Sequence, residues 1–267
     1  MSADSRAAGG LLPEVRRLKA PTPPMLYCTH RLGRCRRVSR RPVFRSKTRP
    51  VIIPQYEHGR VAGTLASLWG NAQFDRPALD FPAFVQGVAF HDWDYGVLDT
   101  VAVGGGDPAA WLSIVRKGVA HRFDAPVTDM VAKLHIRRLL LRKESPEHRE
   151  LMEKIDARIS ERLPASGSSL EQLQWADKIT EFCDDVAFDF CFEQPVRRTV
   201  GVHARAGSNE STPLGYEIQA EGVIRVEPWP FSVESFSGLV VGYGEVGYPE
   251  ALAPLLIPFR AQRASAD

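Results

Sequence analysis

From Gln55 to Glu193 the apolar residues recur at the three-and-four spacing of amphipathic helices, and a few histidines and aspartates interrupt those stripes. On the segment Gln55–Gly70, His58 shares a face with Val61, Ala62, Leu65 and Trp69. On Phe81–Asp92, His91 follows Phe84 and Val88, and Asp92 follows Val85, Val88 and Ala89. On Pro126–Leu141, His135 lines up with Val131, Ala132 and Leu139. A polar helix is predicted from about Ser145 to Leu163, then a linker, Ala165–Ser169. Ser169 caps the next helix, which carries Glu171 in its first turn. On that helix Asp184 lines up with Ala187, Phe188 and Cys191.

After Gln194 the period shortens. Thr199–Arg205 alternates loosely, Gly215–Glu227 holds two strand-like runs, and Leu239–Tyr243 reads as one more strand, with Asn209–Pro213 as a turn. Pro228-Trp-Pro-Phe231 is too rich in proline for a strand interior and is expected to wrap an aromatic pair onto the helices. The predicted architecture is mainly α: one domain over 49–267, with a helical body, 55–193, and a small appended β element, 196–260.

The polar interruptions suggest chemistry. An unpaired imidazole or carboxylate in an apolar interior is costly. A single histidine on an apolar face is most often a core residue bonded to a backbone carbonyl. His58, His91-Asp92, His135 and Asp184 together, on four predicted helices, are better explained by a divalent ion. Imidazoles with carboxylates and no thiolate suit manganese, iron, zinc or a magnesium-like ion.

The order H…HD…D over successive helices resembles the HD-domain phosphohydrolase superfamily. More narrowly, the chain is similar to an uncharacterised bacterial HD-like family known only as a domain of unknown function. That resemblance is carried by Gln55-Tyr56-Glu57-His58-Gly59, Ala62-Gly63, Trp69-Gly70-Asn71, Ala89-Phe90-His91-Asp92-Trp93-Asp94-Tyr95-Gly96, Lys133-Leu134-His135, Asp184 to Cys191 and Pro228–Phe231, and covers about residues 50–260. It implies His58, His91, Asp92 and Asp184 as metal ligands. His135 corresponds to an extra histidine that in some members binds a second metal or the substrate phosphate. Asp185 is a rival for the late position, and Asp177 lies two turns before Asp184 on its face. The resemblance implies hydrolysis of a small phosphorylated substrate, a phosphomonoester or phosphodiester such as a nucleotide, with one or two metal ions. Asp92 and His135 are then the catalytic residues. Arg60, Arg137 and Arg138 follow His58 and His135 closely and are either substrate-binding or solvated charges. Two other readings stay open: a catalytically silent HD-like binding protein, and a di-iron oxidative enzyme with the same ligand types.

Charge divides the chain. The first 50 of the 267 residues hold 13 Lys and Arg against 2 acids, net +11, leaving 21 against 30, net −9. The proline-rich segment 1–48 is expected to be a disordered basic arm. It is open to three accounts: a tail for nucleic acid or an acidic partner, an organelle-targeting segment, or an extension from a start assigned too early. With no long apolar run, no secretory signal and four cysteines outside any C-x-x-C spacing, a soluble cytoplasmic protein without membrane contact is expected. Cys28 and Cys35 with His30 are poorly spaced for zinc, and Gly104–Gly106 lacks the Lys-Ser/Thr of a phosphate-binding P-loop.

Overall fold

A computed structural model describes residues 45–99, 108–142, 145–193, 195–208 and 210–264. The basic arm up to Phe44, with Cys28, His30 and Cys35, and the glycines 104–106 lie outside the described residues. Six α-helices are present among them: α1 Gln55–Ser67, α2 Phe81–Ala89, α3 Pro108–Ala120, α4 Pro126–Leu141, α5 Pro146–Ser166 and α6 Leu170–Phe188. Their ends follow local chemistry. Ser145 accepts from His148 N–H at the start of α5, and Ser169 and Gln172 form a reciprocal capping box on α6. Pro54, before α1, offers no side-chain cap; the carboxylate of Asp99 takes that place, accepting from Gln55 N–H at 3.1 and 3.2 Å. No described helix is long and apolar enough to cross a membrane.

The β structure corrects the expectation of a mainly α protein with a small appendage. One curled sheet of six strands comprises β1 Val51–Ile52, β2 Val196–Val202, β3 Thr212–Ile218, β4 Val223–Glu227, β5 Ser235–Gly244 and β6 Pro254–Arg263, in the order β1-β5-β6-β4-β3-β2. All neighbours are antiparallel except β4 and β6. The first strand precedes every helix, so the sheet brackets the helical body in the chain. The sequence pattern hides β6, which begins at Pro254 and contains Pro258. Pro258 sits opposite Leu239 on β5, two residues before the pairing with β4 begins at Arg260.

Helices and sheet share a core. Val202, Leu214, Tyr216, Ile218, Ile224, Val226, Val240, Phe259 and Ala261 from the strands are buried in one cluster with Val61, Leu65, Phe84, Ile179 and Phe182 from the helices and with Trp69 and Phe190, just past the ends of α1 and α6. Strand residues alternate about this face, which is why β3 reads buried at Leu214, Tyr216 and Ile218. The Pro228–Phe231 segment seals the end of α1 as expected. Gly70 N–H donates to Pro230 O, Asn71 Nδ2 to Trp229 O, and the Trp69 and Phe231 rings meet edge to face at 6.2 Å. A second cluster, Val115, Met130, Leu134, Leu140, Leu151, Ile155 and Leu173, holds α3, α4 and α5 together. Residues 45–49, including the last four of the expected arm, run along the body: Arg49 donates to the carbonyls of Phe190 and Cys191 at 2.8 Å, and Lys47 N–H to Phe192 O at 2.9 Å.

Candidate metal centre

All five residues singled out by their apolar surroundings come together. His58 lies on α1, His135 on α4 and Asp184 on α6. His91 and Asp92 do not sit on a helix: α2 ends at Ala89, and the chain turns through Phe90 into a short 3-10 segment, Trp93–Tyr95. Adjacent residues on an α-helix point about 100° apart. Leaving the helix lets His91 and Asp92 face the same point.

Close helix crossings set the spacing. A Cβ on Gly63 would fall 2.6 Å from Ala89 Cβ, and one on Gly59 2.6 Å from Ala89 O, so α1 lies directly against the end of α2. The His58 and His91 rings meet edge to face at 4.8 Å, and His91 and His135 at 4.4 Å.

His58 Nε2 is 2.9 Å from Asp184 Oδ1 and its Nδ1 is 3.5 Å from Asp92 Oδ2. His91 Nε2 is 3.2 Å from Asp184 Oδ1 and 3.7 Å from Asp92 Oδ2. His135 lies 3.2 Å from each carboxylate, by Nε2 to Asp92 Oδ1 and by Nδ1 to Asp184 Oδ2. The imidazoles are almost wholly buried, whereas Asp92 and Asp184 keep 11 % and 10 % of their side-chain surface, a narrow opening on the carboxylate side.

Two atoms decide what this cluster can hold. His58 Nδ1 and His91 Nε2 are buried and make no hydrogen bond. His91 Nδ1 lies 2.6 Å from Val88 O, and a carbonyl only accepts, so Nδ1 carries the hydrogen and Nε2 presents a lone pair. In the neutral ring that lone pair faces carboxylate oxygens, a contact that either a proton on Nε2 or a metal ion between them satisfies. The ligand atoms fall into two overlapping groups that share His91, namely His58, His91 and Asp92, and His91, His135 and Asp184, each within 4.8 Å. These donors fit a divalent metal ion.

The electrostatics agree with that fit. Burial opposes ionisation of Asp92 and Asp184, but His91, His135 and His58 outweigh it and hold both carboxyls below the usual range, Asp184 well below. Burial also opposes a charged His135, whereas Asp184 and Asp92 favour it and push its pKa up to about 9. A divalent ion held by the same carboxylates removes that pull. Asp185, the rival late aspartate, is half-buried beside the cluster; burial, Asp184 and Glu181 raise it to about 6. Asp94 and Asp99 rise to about 7, chiefly by burial.

The three arginines separate. Arg137 is on the surface with Asp156 at 2.8 Å, and Arg60 is exposed beside Glu57 at 2.7 Å. Arg138 turns inward: Nη2 is 3.0 Å from His135 Nδ1 and 3.5 Å from Asp184 Oδ2, and Nη1 pairs with Asp177. Its inward turn, the burial of Asp99 and the half-burial of Asp94 left no mark on the apolar pattern. The one signal for Arg138 was its place one turn after His135.

A family model described as "Protein of unknown function (DUF3891)" matches residues 43–243. Neither the curated proteins nor the solved structures contain a match. The matched segment runs from before β1 into β5 and includes the whole His-Asp cluster, and the chain belongs to the DUF3891 family.

Proposed function

We propose that this protein is a metal-dependent phosphohydrolase of HD-like type, acting on a small phosphomonoester or phosphodiester such as a nucleotide. The observation that carries the reading is the pair of buried, unpartnered imidazole nitrogens, His58 Nδ1 and His91 Nε2, turned toward the oxygens of Asp92 and Asp184. His58, His91, Asp92 and Asp184 would hold the ion. When bound, a divalent ion lowers the pKa of a water and polarises a phosphoryl oxygen.

The residues of the chain supply the rest. Val88 O fixes the ring of His91, and Asp92, at the narrow opening, orients the attacking water. The water oxygen forms a bond to phosphorus as the ester P–O bond breaks. His135, hydrogen-bonded to Asp92 at 3.2 Å, gives a proton to the departing oxygen, and the proton lost by water replaces it. Metal content per chain tests the reading, comparing wild type with the His91→Ala/Asp92→Ala variant. One or two equivalents of manganese, iron or zinc in the wild type, lost in a folded double variant, support it and direct a phosphoester screen with that metal. No metal in either protein after reloading leaves a catalytically silent scaffold.

Asp92 and Asp184 each lie within 3.7 Å of three imidazoles, and carboxylates so placed can bridge two irons, which favours a di-iron oxidative enzyme as the second reading. A mixed-valence di-iron signal in iron-loaded protein, with no phosphoester turnover, selects it over hydrolysis.

A further inference from the structure

The two halves of the sheet present different faces to water. On the side away from the core, β2 and β3 carry Arg197 and Glu217, in register and paired at 2.7 Å. That is the usual alternation of a sheet with one wet face. β5 and β6 break it. Val240, Phe259 and Ala261 point into the core, so the alternate positions point out. These are Leu239 opposite Pro258, Val241 opposite Leu256, and Tyr243 opposite Pro254. Leu239 is 48 % exposed and Leu256 66 %. The connection between the two strands adds Val246 and Leu252, both exposed. An exposed apolar ladder of this extent marks a contact surface.

The surroundings of the ladder limit how a partner can sit on it. The free edge of β5 is closed at this level: Val241 N–H donates to the Glu57 carboxylate at 2.9 Å, and Arg60 Nη2 donates to Leu239 O. A partner strand cannot extend the sheet there, so contact has to be face to face. Beside the ladder lies a trough of about 730 Å³, lined by Gly222, Val223, Leu239, Leu256 and Pro258. Its rim holds both signs of charge, Glu221 and Arg260, both exposed and neither ion-paired among the described residues. A nucleic acid or an anionic lipid surface selects a rim of basic residues alone. A second copy of this chain matches the rim as it stands. Across a two-fold axis residue i meets j and j meets i, so ladder covers ladder and each Glu221 meets the other copy's arginine. Two ten-residue strands and the start of β4 span about 33 by 14 Å, roughly 450 Å² per copy, the size of a weak and reversible interface.

We propose that the outer face of β5 and β6 pairs with the same face of a second copy, forming a two-fold dimer at micromolar concentration with Glu221 and Arg260 paired across it. The His-Asp cluster contributes no residue to this face, so the contact holds whether or not the hydrolase reading does.

Sedimentation velocity of the full chain, from low micromolar to several hundred micromolar, tests this. The wild type should shift from monomer to dimer across that range. Leu239→Lys/Leu256→Lys sets two cations on the outward ladder and should stay monomeric with an unchanged far-ultraviolet signal. Glu221→Arg and Arg260→Glu each place like charges opposite one another across the axis and should weaken association by at least about tenfold. Mixed in equal amounts, these two variants should pair with each other about as well as the wild type does, because each supplies the charge that the other lacks. Only a contact between copies gives that rescue. A wild type that is monomeric throughout, a dimer indifferent to the lysines, or a mixture as weak as its parts overturns the proposal. A monomer that instead floats with phosphatidylcholine–phosphatidylserine vesicles, and loses this with the lysines, assigns the face to a membrane and overturns it equally.

Discussion

A carboxylic acid moved out of water ionises at the expense of stability, and Asp99 is such a group. Burial pushes it up to about 7, although Gln55 N–H favours its charged form. Its pKa in the folded state lies above the unfolded value of about 4. The folded protein therefore binds the proton more tightly, and the stability so contributed is complete below about pH 4 and is lost as pH rises through about 7. Asp99→Asn keeps an oxygen for Gln55 N–H and removes the charge. It should gain on wild type between pH 5 and pH 8, by at most about 4 kcal/mol; a melting-temperature difference that does not move with pH sinks this assignment. Asp184 and Asp185 make a sharper pair. Asp184→Asn removes the carboxylate that faces His58, His91 and His135, and metal uptake should be lost. Asp185→Asn should leave it within about tenfold, the low end of the effect of a residue outside the ligand shell. Equal losses would move the late ligand. The sequence made the five clustered residues legible because each is a polar interruption in an apolar stripe. Asp94, Asp99 and Arg138 lie beside turns or among other charges, and only packing shows that Asp99 is buried and the other two are largely withdrawn from water.

At the scale of elements, the site depends on how near α1 comes to α2. Gly63 allows that approach, since a Cβ there would fall 2.6 Å from the methyl of Ala89, three residues from Asp92. Gly63→Ala should lower stability by about 1–3 kcal/mol through overpacking and weaken metal binding as His58 is pushed from His91. Adding Ala89→Gly should restore both. If denaturant unfolding and metal titration give the single variant wild-type values, the crossing is looser than the geometry states. The same region marks a limit of periodicity. The three-and-four pattern continues through His91 and Asp92, so a helix to Asp92 is the natural reading, yet two neighbouring residues reach one ion only after the helix has ended. The pattern of α4, by contrast, gives its bounds residue for residue, from Pro126 to Leu141.

For the whole molecule, the shared core means that helices and sheet should unfold together. Phe259, on the last strand, is nearly inaccessible and packs 5.4 Å from Phe190, just past α6. Phe259→Ala should cost about 3–5 kcal/mol. The loss should appear as one transition, coincident in the helical far-ultraviolet signal and in tryptophan fluorescence. Two separated transitions, with the helical signal unchanged, would restore the picture of an appended β element. The sheet also binds the start of the chain to its end. Val51 and Ile52 pair with Gly244 and Tyr243 on β5, a neighbour that no short-range pattern suggests.

The sequence by itself determined where most of the helices run, the Ser169 cap of α6 and the polar residues that an apolar interior has to satisfy. These depend on spacing and on side-chain chemistry within a few residues. The tertiary structure decided the size of the sheet, because a two-residue strand and a strand with prolines carry almost no local signal and become strands only through their partners. It also decided the inward turn of Arg138 and the charge environment of Asp99. Both follow from which distant carboxylates and backbone groups stand within a few ångströms, and folding alone sets those distances.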